Sequence, residues 1–410
     1  MKIVLSHPTS NEVSRYAANG LLEANFLSEF HTAIAVFPGT VLSKISNIKG
    51  LKELNRRSFN PALQNFTRTS PWIEVARQVS MKMGLSGLTA HEQGIFCVDA
   101  VYKNLDQSVA NSLKVSKLKG ITGIYAYEDG AVKSFTEAKK HNVKCLYDLP
   151  IGYWRAAKRI LEPEKERWPE WSSTLSGFKD SEEKLQTKDN ELRLADQIFV
   201  GSNFTAHTLK DFPGSLAPIE VIPYGFPKVS GHREYSNAKN RPLRLLFVGG
   251  LSQRKGIADL FAVADHLNKH VELTVVGVKS TEECAALNNA LSKHKWIPSL
   301  PHDQILELMK EHDVLVFPSL FEGFGLVITE AMSQGLPVIT TERTIGPDLI
   351  TDNEDGWLIN AGSTEALQAA IENLLEHPEL LESAGRAAMQ TAKNRSWDIY
   401  QKELVAAIRN

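Results

Sequence analysis

The chain has 410 residues, 42% of them hydrophobic and 23% charged, with a formal net charge of −2. That balance excludes a disordered chain and a general nucleic-acid binder, and the length exceeds the ~250–300 residues at which a single core stops growing, so two domains are expected. Cys97, Cys145 and Cys284 stand far apart with no CxxC pair, which excludes a disulfide framework or a cysteine zinc site and suits a reducing cytoplasm.

In chain order, MKIVLSHPTS carries an apolar run too short for a signal peptide and reads as a first buried strand. Further strands are predicted at Thr32–Val36, Gly123–Ala126, Lys144–Tyr147, Gln197–Val200 and Glu220–Ile222, with a helical stretch between Val41 and Leu118. Residues 227–242 are polar, contain two prolines and lack periodicity, the composition of a linker. Strands resume at LRLLFVGG from Leu243, Val271–Gly277, a short WIPSL, Asp313–Ser319 and Leu336–Thr341. Amphipathic helices separate them at Gly256–Lys269, Thr281–Lys293, His302–Glu311, Leu326–Gln334 and Thr364–Leu375. Strands alternating with helices on both sides of a linker predict an α/β protein of two doubly wound domains, 1–226 and 243–392. The terminal segment, about 393–410, is one more amphipathic helix. No run approaches the ~20 apolar residues of a membrane span.

Two stretches concentrate chemistry. In VGGLSQRKGI (Val248–Ile257) a buried strand ends at Gly249 and Gly250, and Arg254 and Lys255 precede Gly256 at a helix start. Adjacent cations there suit a diphosphate, Arg as a bidentate fork and Lys as a mobile point charge. The glycines do not follow G-x-G-x-x-G, which disfavours a nicotinamide site. In PSLFEGFGLVITEAMSQGLPVI (Pro318–Ile339), Glu322 stands in a glycine-rich loop, and the amides of Gly323 to Leu326 precede a helix. Glu330 follows eight residues after Glu322, in an otherwise apolar helix stretch where a carboxylate needs a partner such as a ligand hydroxyl.

These stretches resemble glycosyltransferase family 4, the retaining GT-B enzymes. The E-x7-E pair is Glu322 and Glu330, the phosphate-gripping RKG is Arg254–Gly256, and IPYGFP (Ile222–Pro227), HDVLVFPS and SWDIY add support over roughly residues 195–400. The resemblance implies two Rossmann-like domains facing a cleft, with the C-terminal helix crossing back to the first. It implies a donor site in which Arg254 and Lys255 hold the diphosphate, Glu322 meets sugar hydroxyls and Glu330 the ribose. The amides of Phe324, Gly325 and Leu326 would touch sugar or phosphate, Gly277 would edge the nucleotide pocket, and Leu300 and Ile305 would pack around the base. It implies a UDP-, GDP- or ADP-sugar donor, no metal, and a hydroxyl acceptor: a glycan, a lipid-linked saccharide or a small molecule.

The first half departs from the family pattern. HPTSNEVSRY replaces a Gly-Gly loop, and Asn11, Ser10 or Glu12 would reach the donor phosphate. Asp148, in CLYDLPIGYW, stands where relatives carry a histidine, and could orient acceptor or sugar or cap a turn. Glu128 and Asp129 follow a strand directly and are candidates for an acceptor base or anchor. Residues 41–120 hold twelve lysines and arginines against five acidic residues, consistent with peripheral docking on anionic lipid at the inner membrane face or with a solvated helical surface. The insertion 161–190 reads as a lid or a partner surface. A catalytically silent GT-B subunit is the alternative function, kept open by the missing Gly-Gly and histidine.

Overall fold

A computed structural model describes residues 1–9, 11–40, 43–44, 57–114, 120–175, 179–231, 233–235 and 241–409. Ser10, five of the basic residues (Lys49, Lys52, Arg56, Lys117, Lys119), 176–178 of the insertion, and 232 and 236–240 of the linker lie outside them.

The first sheet comprises β1 (Ile3–Ser6), β2 (Leu27–Thr32), β3 (Thr67–Thr69), β4 (Gly123–Tyr127), β5 (Lys144–Leu149), β6 (Gln197–Val200) and β7 (Ile219–Val221), in the order 3-2-1-4-5-6-7. The second holds β8 (Leu243–Val248), β9 (Val271–Val276), β10 (Lys295–Ile297), β11 (Val314–Phe317), β12 (Val338–Thr341) and β13 (Trp357–Ile359), in the order 10-9-8-11-12-13. All pairings between these strands are parallel, as buried near-continuous apolar runs such as IVL and VLVF require. Each sheet reverses its winding once, between β1 and β4 and between β8 and β11. Ligands of open α/β sheets bind at the carboxyl ends beside such a point.

Three expectations need correction. The second strand is Leu27–Thr32, not Thr32–Val36. Its polar residues are tolerable in the interior because Glu29 accepts from Ser112 Oγ at 2.8 Å and pairs with His31 Nε2 at 2.9 Å. The edge strands β3 and β13 were not foreseen, since three residues carry too little periodicity to read. WIPSL is a strand only as far as Ile297, which leaves Leu300 in the following loop.

Two segments cross between the sheets' territories. The helix Trp397–Arg409 lies on the helix Glu12–Glu23 of the first domain: Trp397 stacks on Tyr16 at 4.2 Å, and Gln197 donates to the Ala407 carbonyl at 3.1 Å. Gly20 allows that approach, because a Cβ there would sit 3.0 Å from Gln401 Cβ. In the other direction, Glu164–Thr174 of the insertion docks on the second domain, where buried Trp171 stacks on Phe261 at 5.7 Å. The insertion is thus an interdomain strap.

Candidate active site at the second domain's switch point

The strand β8 ends at Val248, just before Gly249, and the chain turns through Gln253–Lys255 before the helix Ile257–His266. Gly256 has φ +68°, and a Cβ there would fall 2.0 Å from the Pro318 carbonyl oxygen. Gly277, after β9, has φ +158° and would bring a Cβ 1.8 Å from the Gly249 oxygen. Only glycine lets these turns pack so closely. The Arg254 carbonyl accepts from Leu320 N at 2.9 Å and Ser319 Oγ at 3.2 Å, which ties the cationic turn to the loop after β11.

Three charged groups meet there. Arg254 Nη1 donates to the Phe321 carbonyl at 2.7 Å and lies 3.4 Å from the Glu322 carboxylate, while Lys255 Nζ is ion-paired directly with Glu322. The Lys255 ammonium also stands 4.7 Å over the Phe317 ring. Burial lowers the Lys255 pKa to about 8, although Glu322 opposes the shift. Burial alone would raise the Glu322 carboxyl, yet the two cations outweigh it and hold it below the ordinary range. One carboxylate therefore occupies cations that could otherwise grip an anion.

The glycine-rich loop is clamped against the first domain. The Gly323 carbonyl accepts from Ser202 Oγ at 2.6 Å and Thr205 Oγ1 at 2.8 Å, and a Cβ on Gly323 would lie 1.9 Å from the Pro150 oxygen. Phe324 buries its ring 4.5 Å from Tyr224, so only its backbone can face a ligand. Gly325 takes φ +93° and starts the helix Leu326–Ser333, with Leu326 half-buried at its first position. Glu330, on that helix, meets His302 Nε2 at 3.0 Å, and this hydrogen bond raises the His302 pKa. Glu12, at the start of the first helix, is raised by burial, with the His302 charge opposing and Glu330 adding to the shift, so the two domains approach each other here. Asn11 caps its own helix, accepting from Ser14 N at 2.9 Å. Leu300 and Ile305 are half-buried against the main core. Trp296 donates to the Gly277 carbonyl at 2.9 Å and lies under Lys279 Nζ at 4.7 Å, a contact unmarked in the sequence.

In the first domain, Glu128 follows β4 and is raised to about 7 by burial, against the pull of Lys188, 3.5 Å away. Asp129 takes φ +69° and its amide donates to fully buried Glu191 at 2.9 Å, so the loop is held from below. Burial likewise raises Asp129, with Lys188 at 3.7 Å opposing. Asp148 is placed differently from expectation. It is buried, accepts from Tyr125 OH at 2.5 Å, and is pushed up to about 7 by burial. Tyr127, Tyr224 and Tyr400 feel its charge, and it does not line the cavity.

A cavity of about 570 Å³ joins the carboxyl ends of the two sheets. Glu128, Trp154 and Lys188 contribute from the first domain, Gly250, Ser252, Arg254 and Phe321 from the second, and Lys165 and Leu175 from the insertion. Glu322, Glu330, Asn11, Leu300 and Ile305 are not part of its wall. Lys188 and Glu191 were missed by sequence reasoning: they sit in the strongly polar helix Glu182–Leu194, where nothing separates a site lysine from a solvated one.

Comparison with known proteins bears on the fold. Residues 231–391 match the family model described as Glycosyl transferases group 1. Glycogen synthase of Mycobacterium tuberculosis is 27% identical over 186 residues, 44% of this chain and 45% of that protein; the chain spans about half the length of the curated relatives it matches. Over all of this chain, sucrose-phosphate synthase from Thermosynechococcus elongatus superposes with a TM-score of 0.69 at 16% identity, covering 98% of that chain. Anabaena Alr3699/HepE, solved in complex with UDP, does so with 0.63 at 16% identity, both chains covered completely. Those likenesses show the GT-B architecture, and over residues 231–391 the chain is similar to the glycosyl transferases group 1 family.

Proposed function

We propose that the chain is a retaining glycosyltransferase that moves a hexose from a nucleotide-diphosphate sugar to a hydroxyl acceptor. The observation that carries it is the Arg254–Lys255–Glu322 cluster, with Lys255 buried and the other two half-buried, at the β8/β11 switch point beside an interdomain cavity. The donor diphosphate takes Arg254 and Lys255, releasing Glu322 toward hydroxyls of the sugar, and Glu330 receives the ribose. As the glycosidic bond to the diphosphate breaks, negative charge grows on the leaving oxygen, where preorganised cations stabilise it more than in the ground state. Arg254 and Lys255 supply that charge without a metal. Retention follows from the family resemblance. The acceptor enters the cavity, where Glu128, poised near neutrality beside Lys188, receives its hydroxyl.

Thermal unfolding with a panel of UDP, GDP, ADP and their sugars tests this reading. A diphosphate at a hundred times its Kd adds ~2.7 kcal/mol of stability. A shift with one base, and slow release of that nucleotide from its sugar, is expected. No shift with any of them would favour the silent-subunit reading.

Peripheral docking on lipid has its own support. Among the described residues no helix is long and apolar enough to cross a membrane. The helix Trp72–Lys82, however, exposes Trp72 (81%), Val75 and Val79 along one stripe, continued by Met83 just beyond it. Such a stripe is unusual on a soluble surface and suits a bilayer interface. Flotation with anionic liposomes is expected for the wild type and lost for Trp72→Ser/Val79→Ser; flotation unchanged by anionic-lipid content would sink the idea.

A further inference from the structure

The strap does more than join the domains. Thr174, fully buried, receives the Gln253 amide on its Oγ1 at 2.9 Å, and the same hydroxyl donates to the Trp171 carbonyl at 2.7 Å. Its carbonyl accepts from Ser252 Oγ at 2.7 Å, and that Oγ in turn accepts from the Arg254 amide at 3.3 Å. Glu164 Oε2 accepts from Gln253 Nε2 at 2.9 Å, while Gln253 Oε1 caps Ala258 N at 2.9 Å at the start of the following helix. Every polar group of Gln253's side chain is thereby committed, and Gln253 is fully buried. Arg167 holds the strap in place from the other side: it pairs with Asp259 and donates to Thr364 Oγ1 at 3.0 Å.

A three-residue turn has little rigidity of its own. Free in solution, Gln253–Lys255 would sample many geometries, and each would place the two cations differently relative to a diphosphate. Here the turn is pinned by hydrogen bonds from a segment more than seventy residues earlier, at buried residues where unmade bonds are costly. We infer that Thr174 and Glu164 are positioning residues for the Arg254–Lys255 cation pair, so that seating of the strap sets the donor site's affinity for a diphosphate. They act through Ser252 and Gln253 and touch no substrate themselves. This inference rests on the donor site proposed above.

The test compares wild type, Thr174→Val, Thr174→Ser, Glu164→Leu and Lys255→Ala in the full chain, with UDP, GDP and ADP as probes. Thr174→Val keeps the shape but removes the acceptor, and should weaken diphosphate binding about tenfold, with a fall in kcat and an unchanged acceptor KM. Thr174→Ser restores the hydroxyl and should restore affinity to within about twofold of wild type. A merely structural role would lower the Tm of both variants without this split. Glu164→Leu carries the same expectation and stands in should Thr174→Val not fold. If Lys255→Ala loses diphosphate affinity while folded Thr174→Val and Glu164→Leu retain it, the positioning role is overturned and the donor site stands. If the wild type binds none of the three diphosphates, the donor reading fails and this inference falls with it.

Discussion

Lys255→Ala is expected to abolish measurable diphosphate binding and to cut sugar transfer about a hundredfold or more, the loss typical of one preorganised charge at a developing anion. It should also cost stability, on the order of 3 kcal/mol, because Glu322 remains buried with only Arg254 at 3.4 Å to balance it. Lys255→Ala/Glu322→Gln separates the two effects: stability should return, and binding should not. The wild type carries a matching pH signature. Its free site titrates at Lys255 near pH 8. A bound diphosphate favours the ammonium and raises that value, so affinity should be full below pH 8 and decline as pH rises beyond it. Calorimetric titration between pH 6.5 and 9.5 measures the curve. A flat profile would place the diphosphate away from Lys255.

The second large effect is expected at Gly323. An alanine Cβ would stand 1.9 Å from the Pro150 oxygen and 2.7 Å from Ile151 Cα, both backbone atoms that no rotamer change can move. The loop would have to leave the first domain, giving up the bonds from Ser202 and Thr205 to the Gly323 carbonyl. Gly323→Ala should therefore lose about 3 kcal/mol, together with donor-induced stabilisation. Gly250→Ala is the control. Nothing lies within 4 Å of its Cβ position, so its unfolding midpoint should stay near that of the wild type. Equal midpoints for the two variants would mean that the glycine-rich loop is not clamped between the domains.

Both expectations concern residues that stand out in the sequence. Arg254, Lys255 and Glu322 are short-range features: each follows a strongly apolar strand, and a strand's carboxyl end in a doubly wound sheet is a place chain order alone can identify. The same periodicity located most strands, and the E-x7-E spacing drew attention to Glu330. It failed where polarity disguised a strand, as in LSEFHT, whose interior place depends on the Glu29–His31 pair and on a serine eighty-three residues away.

What only the tertiary structure decided is long-range partnership. Asp148 and Glu128 are both acidic residues near strand ends, yet one is buried with its carboxylate bonded to Tyr125 and the other faces a cavity with Lys188 beside it. The strap's hold on Gln253, the meeting of Glu12 with Glu330 and His302, and the closing of Gly323 on Pro150 have the same character. Hydrophobic periodicity is written along the chain because burial acts on every turn and strand separately. A hydrogen bond or ion pair between distant segments leaves no local mark, because either partner looks like an ordinary surface residue until the fold removes water from both.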